Sequence, residues 1–140
     1  FADAIRPLLR PHHTHALILG TGGASKAVNY ALQQLGLVTQ HVSRTSREGI
    51  ITYTDVTPEL LAQYTVIVNT TPLGMHPKTD ECPPIDYAQL GGRHLLYDVI
   101  YNPEKTLFLR RGEAAGATIS SGMSMLIGQA KAAWHIWTAE

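Results

Sequence analysis

The segment His15-Ala-Leu-Ile-Leu-Gly20, followed by Thr21-Gly-Gly-Ala24 and an amphipathic stretch, constrains the fold of this chain most strongly. A continuous apolar run of this length reads as a strand buried on both faces. From Ser25 to Leu35, apolar residues at Ala27, Val28, Ala31, Leu32 and Leu35 recur at helical spacing. Gly36 then occupies the place of a helix C-cap glycine. A strand apolar along its whole length must be covered from two sides, so the remaining segments have to supply layers above and below it.

They do so in alternation. Val38–Val42 and Thr65–Asn69 read as further strands, the second preceded by a helical turn from Pro58 to Tyr64. His94–Asp98 reads as another strand, Thr106–Ala115 as a helix followed by Gly116, and Ala117–Ile119 as a last short strand. Phe1–Leu9 predicts a short helix stopped by Pro11, and Gly122–Thr138 a long terminal helix. A loop rich in Pro, Thr and Asp runs from Pro72 to Pro84. Strand and helix in turn predict an α/β fold: a Rossmann-type, doubly wound parallel sheet in three αβα layers. Residues 1–140 carry no internal repeat and no interdomain linker, so one domain is expected.

Composition removes several classes of function. With 44% apolar and 16% charged residues a buried core is feasible and wholesale disorder is not expected. Eleven basic residues balance 11 acidic ones, which argues against a nucleic-acid partner. One cysteine excludes an intramolecular disulfide framework. No apolar run approaches the ~20 residues of a membrane span and no signal-peptide pattern is present, so no membrane partner and a cytoplasmic location are expected. The chain opens with Phe1 rather than Met, which predicts a fragment of a longer protein.

The glycine turn is the first candidate site. Gly20-Thr21-Gly22-Gly23-Ala24-Ser25 lies between a strand and a helix, where dinucleotide-binding folds need it. The first glycine permits a tight turn, and the second lets backbone approach a pyrophosphate. The helix N-terminus adds unpaired N–H groups and a positive dipole end. Ser25 stands at the third glycine position and is small enough for close helix–strand packing. A triphosphate-binding loop is excluded, because Ser25-Lys26-Ala27 lacks the required Gly-Lys-Ser/Thr succession.

The end of the second strand predicts the choice of dinucleotide. An NAD site places Asp or Glu there for the ribose hydroxyls; this chain has Ser43-Arg44-Thr45-Ser46-Arg47. A guanidinium offers charge-assisted donors to a 2′-phosphate that a carboxylate would repel. Arg44 follows Gly20 by about 24 residues, near the offset of the ribose contact, and so favours NADP(H).

These motifs resemble the C-terminal, NADP-binding domain of the shikimate dehydrogenase family. Gly20–Ala27 is similar to its cofactor loop, and Ser43-Arg-Thr45 to its Asn-Arg-Thr motif with Ser for Asn. Asn69-Thr-Thr-Pro-Leu-Gly-Met75, Tyr97-Asp-Val-Ile-Tyr-Asn-Pro103 and Gly122-Met-Ser-Met-Leu-Ile-Gly-Gln129 resemble three later family segments, in order. The resemblance implies that Gly20, Thr21, Gly22, Gly23 and Ala24 hold the pyrophosphate and that Arg44 and Thr45 take the adenosine phosphate, with Arg47 near a second family arginine; Ser43 adds a hydroxyl donor beside them. It implies that Thr70, Val99 and Gly122 lie along the nicotinamide half, and that Tyr101 and Gln129 touch the substrate, shikimate or 3-dehydroshikimate. Gly122, Met125 and Gln129 would share one helix face. The family's catalytic lysine and aspartate sit in an N-terminal substrate domain, and the match to Phe1 falls just past that aspartate. The resemblance therefore implies no catalytic residue in residues 1–140, a chain inactive alone, and a terminal helix, 122–138, packing toward that substrate domain.

Two other readings accompany it: a quinate/shikimate dehydrogenase paralogue with relaxed cofactor choice, and a non-catalytic nucleotide-sensing module. The remaining reactive residues are read as structural. His12, His13 and His15 follow Pro11 with no carboxylate or cysteine among them and read as a solvated loop rather than a metal site. Cys82 lies beside Asp80 and Glu81 and is a poor nucleophile candidate. No Gly-x-Ser-x-Gly elbow occurs, and Trp134 and Trp137 read as packing residues.

Overall fold

Each strand of the sheet alternates its side chains between two helical layers, and that alternation builds the molecule. The computed structural model describes residues 1–122. In chain order it holds α1 (Ala2–Ile5), β1 (His15–Leu19), α2 (Gly23–Gln34), β2 (Val38–Ser43), β3 (Ile50–Thr52), α3 (Pro58–Gln63), β4 (Val66–Asn69), β5 (Leu95–Asp98), α4 (Leu107–Ala114) and β6 (Thr118–Ser121). The six strands are all parallel, in the order β3-β2-β1-β4-β5-β6. This is a Rossmann-type, doubly wound three-layer fold, as the alternation predicts.

Leu17, Leu19, Ile67 and Leu96 pack toward Leu61 of α3 and Phe108 and Leu109 of α4. Ala16, Ile18, Val66, Val68, Leu95 and Tyr97 pack toward Ile5 of α1 and Val28 and Leu32 of α2. The residues of β1 from Ala16 to Leu19 are fully buried, so the strand is covered from both sides. Fully burying one such aliphatic side chain is worth ~1.5–3 kcal/mol, which makes this central strand the anchor of the fold.

Boundaries shift in instructive ways. The helix expected from Ser25 starts at Gly23, with Gly22 as its N-cap, so the glycine turn itself forms the first helical turn. The expected helix over Phe1–Leu9 is α1 followed by a 3₁₀ turn at Arg6–Leu8, where Pro7 allows a tight turn without an N–H. The sequence pattern does not predict strand β3. Its three residues, Ile50, Ile51 and Thr52, are too short to show a period, and among the described strands they pair with β2 at the sheet edge. The expected helix over 122–138, including Gln129, Trp134 and Trp137, lies outside the described residues except for Gly122. Among the described residues no helix is long and apolar enough to cross a membrane.

Candidate functional site

The direction of chain winding reverses between β1 and β4, and their carboxyl ends open a crevice there. Two close approaches shape it. The Thr70 N–H and hydroxyl both donate to the Leu19 carbonyl, at 2.9 and 2.6 Å, tying the end of β4 to the end of β1. Gly20 follows with φ +118°, and a Cβ there would stand 2.5 Å from the Thr70 hydroxyl. Only glycine turns the chain at this point without pushing β1 and β4 apart.

Beyond the turn, α2 presents an uncapped N-terminus. Gly22 is extended (φ −80°, ψ −167°) and no side chain caps the helix. The Ser25 hydroxyl, buried, donates instead to the Gly22 carbonyl at 2.6 Å. The third fingerprint residue therefore fastens the loop to the helix and leaves the helix N–H groups to a ligand. Nothing lies within 4 Å of a Cβ built on Gly22 or Gly23. Their lack of side chains is not demanded by the protein's own packing and leaves room for an anion at the positive end of a 12-residue helix.

At the end of β2, Ser43 is half-buried, while Arg44, Thr45 and Arg47 are exposed. Arg44 and Ser43 line a hollow of about 290 Å³ with Gly20, Tyr53, Thr71 and Leu73. Arg47 is set apart from it: its N–H and carbonyl pair with Ile50 across the β2–β3 loop. The structure thus puts Arg44 in the crevice and gives Arg47 a backbone role in the loop.

The other end of the crevice is held by a buried carboxylate to which the sequence pattern assigns no task. Asp98, at the end of β5, accepts from the Thr106 hydroxyl at 2.7 Å, the Ile100 N–H at 3.0 Å and the Asn69 amide at 3.2 Å. Asn69 Oδ1 in turn accepts from the Thr71 hydroxyl and N–H, at 2.6 and 3.0 Å. One carboxylate thereby fixes the loops after β4 and β5 and the start of α4. Burial pushes its pKa up to about 6, although all three hydrogen bonds favour the charged form. The two loops so fixed enclose a cleft of about 440 Å³ lined by Thr70, Met75, His76, Val99, Tyr101 and Asn102, among others. Tyr101 and Met75 are about half exposed there, at 53% and 48%.

Of the residues singled out from the sequence, Gly20, Thr21, Gly22, Gly23, Ala24, Ser43, Arg44, Thr45, Thr70, Val99 and Tyr101 gather along this carboxyl edge. Gly122 lies beside Val99: a Cβ on it would overlap the Val99 carbonyl, and its N–H donates to Ile100 at 3.2 Å. Its glycine is thus explained by backbone packing under the cleft. Asn69, Asp98, Thr106 and Tyr53 are the residues that sequence reasoning misses. A charged residue closing an apolar strand, Leu95-Leu-Tyr-Asp98, is the available signal for the first three.

One expectation is corrected. His13 does not belong to a solvated loop: it is buried, whereas His12 stays partly exposed, and Nε2 of both rings lies 3.0 Å from the Arg93 carbonyl, which accepts from them. His13 Nδ1 accepts the Arg10 N–H at 2.8 Å. Burial, outweighing the bond to Arg93, holds the His13 pKa below the usual histidine value.

Sheet order and crevice define the class, a Rossmann-type doubly wound domain with an open switch point. Over most of its length the chain is homologous to shikimate dehydrogenases. It is 33% identical to the shikimate dehydrogenase (NADP(+)) of Desulforamulus reducens, over 88% of this chain and 48% of that protein. It is 31% identical to that of Caldanaerobacter subterraneus subsp. tengcongensis, over 100% of this chain and 55% of that protein. The shikimate 5-dehydrogenase of Thermus thermophilus, solved in complex with NADP(H) and shikimate, superposes with a TM-score of 0.76 at 27% identity, covering 99% of this chain and 54% of that one. The chain spans about half the length of the curated relatives it matches. No family model matches it.

Proposed function

We propose that residues 1–140 are the NADP(H)-binding domain of a shikimate dehydrogenase, an enzyme moving hydride reversibly between NADPH and the ketone of 3-dehydroshikimate. The observation that carries this reading is Arg44 in the crevice, across from an uncapped, glycine-led helix N-terminus, in a chain homologous to that family. The residues present fit the cofactor. The open space over Gly22 and Gly23 suits a pyrophosphate, with Thr21 and Ala24 flanking it. Ser43, Arg44 and Thr45 offer donors to a 2′-phosphate where NAD sites carry a carboxylate.

The nicotinamide supplies the hydride when bound. The chain's own residues bind and orient it. Thr70, Val99 and the backbone over Gly122 form the floor that the ring would meet, held by the Asp98 hydrogen bonds. Tyr101 faces the same cleft and is assigned to the substrate, with Gln129 on the helix proposed over 122–138. Arg47 is assigned a secondary role at the phosphate, from the loop it helps to close. The acid and base that handle the hydroxyl proton are assigned to a substrate domain outside residues 1–140.

Absorbance loss of NADPH with 3-dehydroshikimate tests this reading. The 140-residue chain alone is expected to show no turnover, because orientation and proton transfer together supply many orders of magnitude in rate. Adding the substrate domain of a relative is expected to restore it, and Gln129→Ala then to weaken substrate use more than cofactor binding. Turnover by residues 1–140 alone, or no NADP(H) binding by calorimetry, overturns it.

A further inference from the structure

The smaller hollow, at the β1–β2 side of the crevice, has an aromatic wall. Tyr53 opens a 3₁₀ turn, Tyr53–Asp55, directly after β3. The turn is fixed by a cap in which the Thr52 N–H and hydroxyl both donate to Asp55 Oδ2, each at 2.9 Å. The ring packs against the core layer that contains Val42 and Val56, yet it also lines the hollow with Gly20, Ser43, Arg44 and Thr71. Burial pushes the Tyr53 pKa up, with Arg44 close enough to oppose it. The hydroxyl makes no hydrogen bond among the described residues.

A half-buried aromatic ring, rigidly held beside a cationic side chain and facing an open hollow of about 290 Å³, suits a flat heteroaromatic ligand group. We propose that Tyr53 is the adenine-contacting residue of this domain, its ring forming the wall against which the base packs while Arg44 handles the neighbouring phosphate. This assignment rests on the cofactor reading above. It divides the hollow by chemistry: Tyr53 serves every adenine dinucleotide alike, whereas Arg44 serves only those bearing the 2′-phosphate.

The division is tested by calorimetric titration of the 140-residue chain with NADP⁺, NAD⁺, 2′,5′-ADP and nicotinamide mononucleotide. Tyr53→Leu is expected to weaken the first three about 10-fold, as loss of a base–aromatic contact does, and to leave the mononucleotide unchanged. Tyr53→Phe, which keeps the ring, is expected to stay within about threefold for all four. Arg44→Ala is expected to weaken only NADP⁺ and 2′,5′-ADP. Normal wild-type binding with an unaffected Tyr53→Leu overturns the assignment alone; so does a Tyr53→Leu loss confined to the phosphate-bearing ligands. A wild-type chain that binds none of the four overturns the cofactor reading and this assignment together. Should Tyr53→Leu unfold, the wild-type Tyr53 ring protons, identified by their loss in Tyr53→Phe, decide by NMR. An upfield shift on adding 2′,5′-ADP supports base packing, and no shift overturns it.

Discussion

The two edges of the sheet handle their polar groups in opposite ways. At the carboxyl edge, the glycine turn leaves a helix N-terminus uncapped, Arg44 is exposed beside a hollow, and Tyr101 and Met75 stand in the open. At the amino edge, polar side chains are bonded to the protein's own backbone. His12 and His13 converge on the Arg93 carbonyl, and His94 Nε2 lies 2.7 Å from the Leu61 carbonyl. Donors held by the protein itself add stability, whereas donors left open are available to a ligand. Parallel winding sets the difference, because every helix N-terminus that follows a strand faces the carboxyl edge.

The largest way to break this contrast is at Gly22. Gly22→Val is expected to abolish NADP(H) binding, by about 100-fold or more, while circular dichroism and melting temperature stay near wild type. Its backbone is extended and nothing lies within 4 Å of a built Cβ, so the substitution meets no steric obstacle in the fold. A folded Gly22→Val chain with native affinity would make the turn purely structural.

Asp98 is the buried charge of the carboxyl edge and, like Thr70 and Ser25 there, serves the protein itself. Asp98→Ala orphans three donors and is expected to lower unfolding free energy by about 2 kcal/mol in urea titrations. It is also expected to raise Kd for the nicotinamide half more than for 2′,5′-ADP. A smaller effect follows from Arg44→Ala. A charge-assisted bond at an exposed position is worth about 10-fold, so NADP⁺ binding falls by that factor and NAD⁺ binding does not. Equal losses for both would remove the 2′-phosphate from its role.

The finest test is in pH. Burial raises the folded-state pKa of Asp98 to about 6, so its contribution to stability is complete below ~4 and declines as pH rises through about 6. His13 runs the other way. Its lowered folded-state pKa means that its contribution is present above ~6.5 and is lost as pH falls through that lowered value. Unfolding free energies measured from pH 4 to 8 for the wild type, Asp98→Asn and His13→Gln should show each slope disappear in its own variant. Slopes that survive both substitutions would mean that neither edge titrates as its burial implies.

Much of the fold was legible because its signals are local. The apolar run of β1, the stripe of α2 and the glycines between them lie within about 20 consecutive residues, and hydrophobic period and turn chemistry act over that range. Ser43-Arg-Thr45 was legible as a cofactor-choice segment for the same reason, since its place is defined by the strand it follows. The short edge strand β3 was not legible, because three residues carry no period.

What the amino-acid sequence by itself determined, then, is the alternation of strand and helix, the class of fold and the position of the glycine turn. Only the tertiary structure decided the strand order, the partners of buried polar groups and which exposed residues share a hollow. Asp98 meets Asn69 across 29 residues of chain, His13 meets Arg93 across 80, and Tyr53 reaches Arg44 only because β3 lies beside β2. A buried donor or acceptor must find a partner, but its own side-chain chemistry does not say where along the chain that partner lies. The answer comes from which strands are neighbours, and in this molecule the reversal of winding between β1 and β4 settles that.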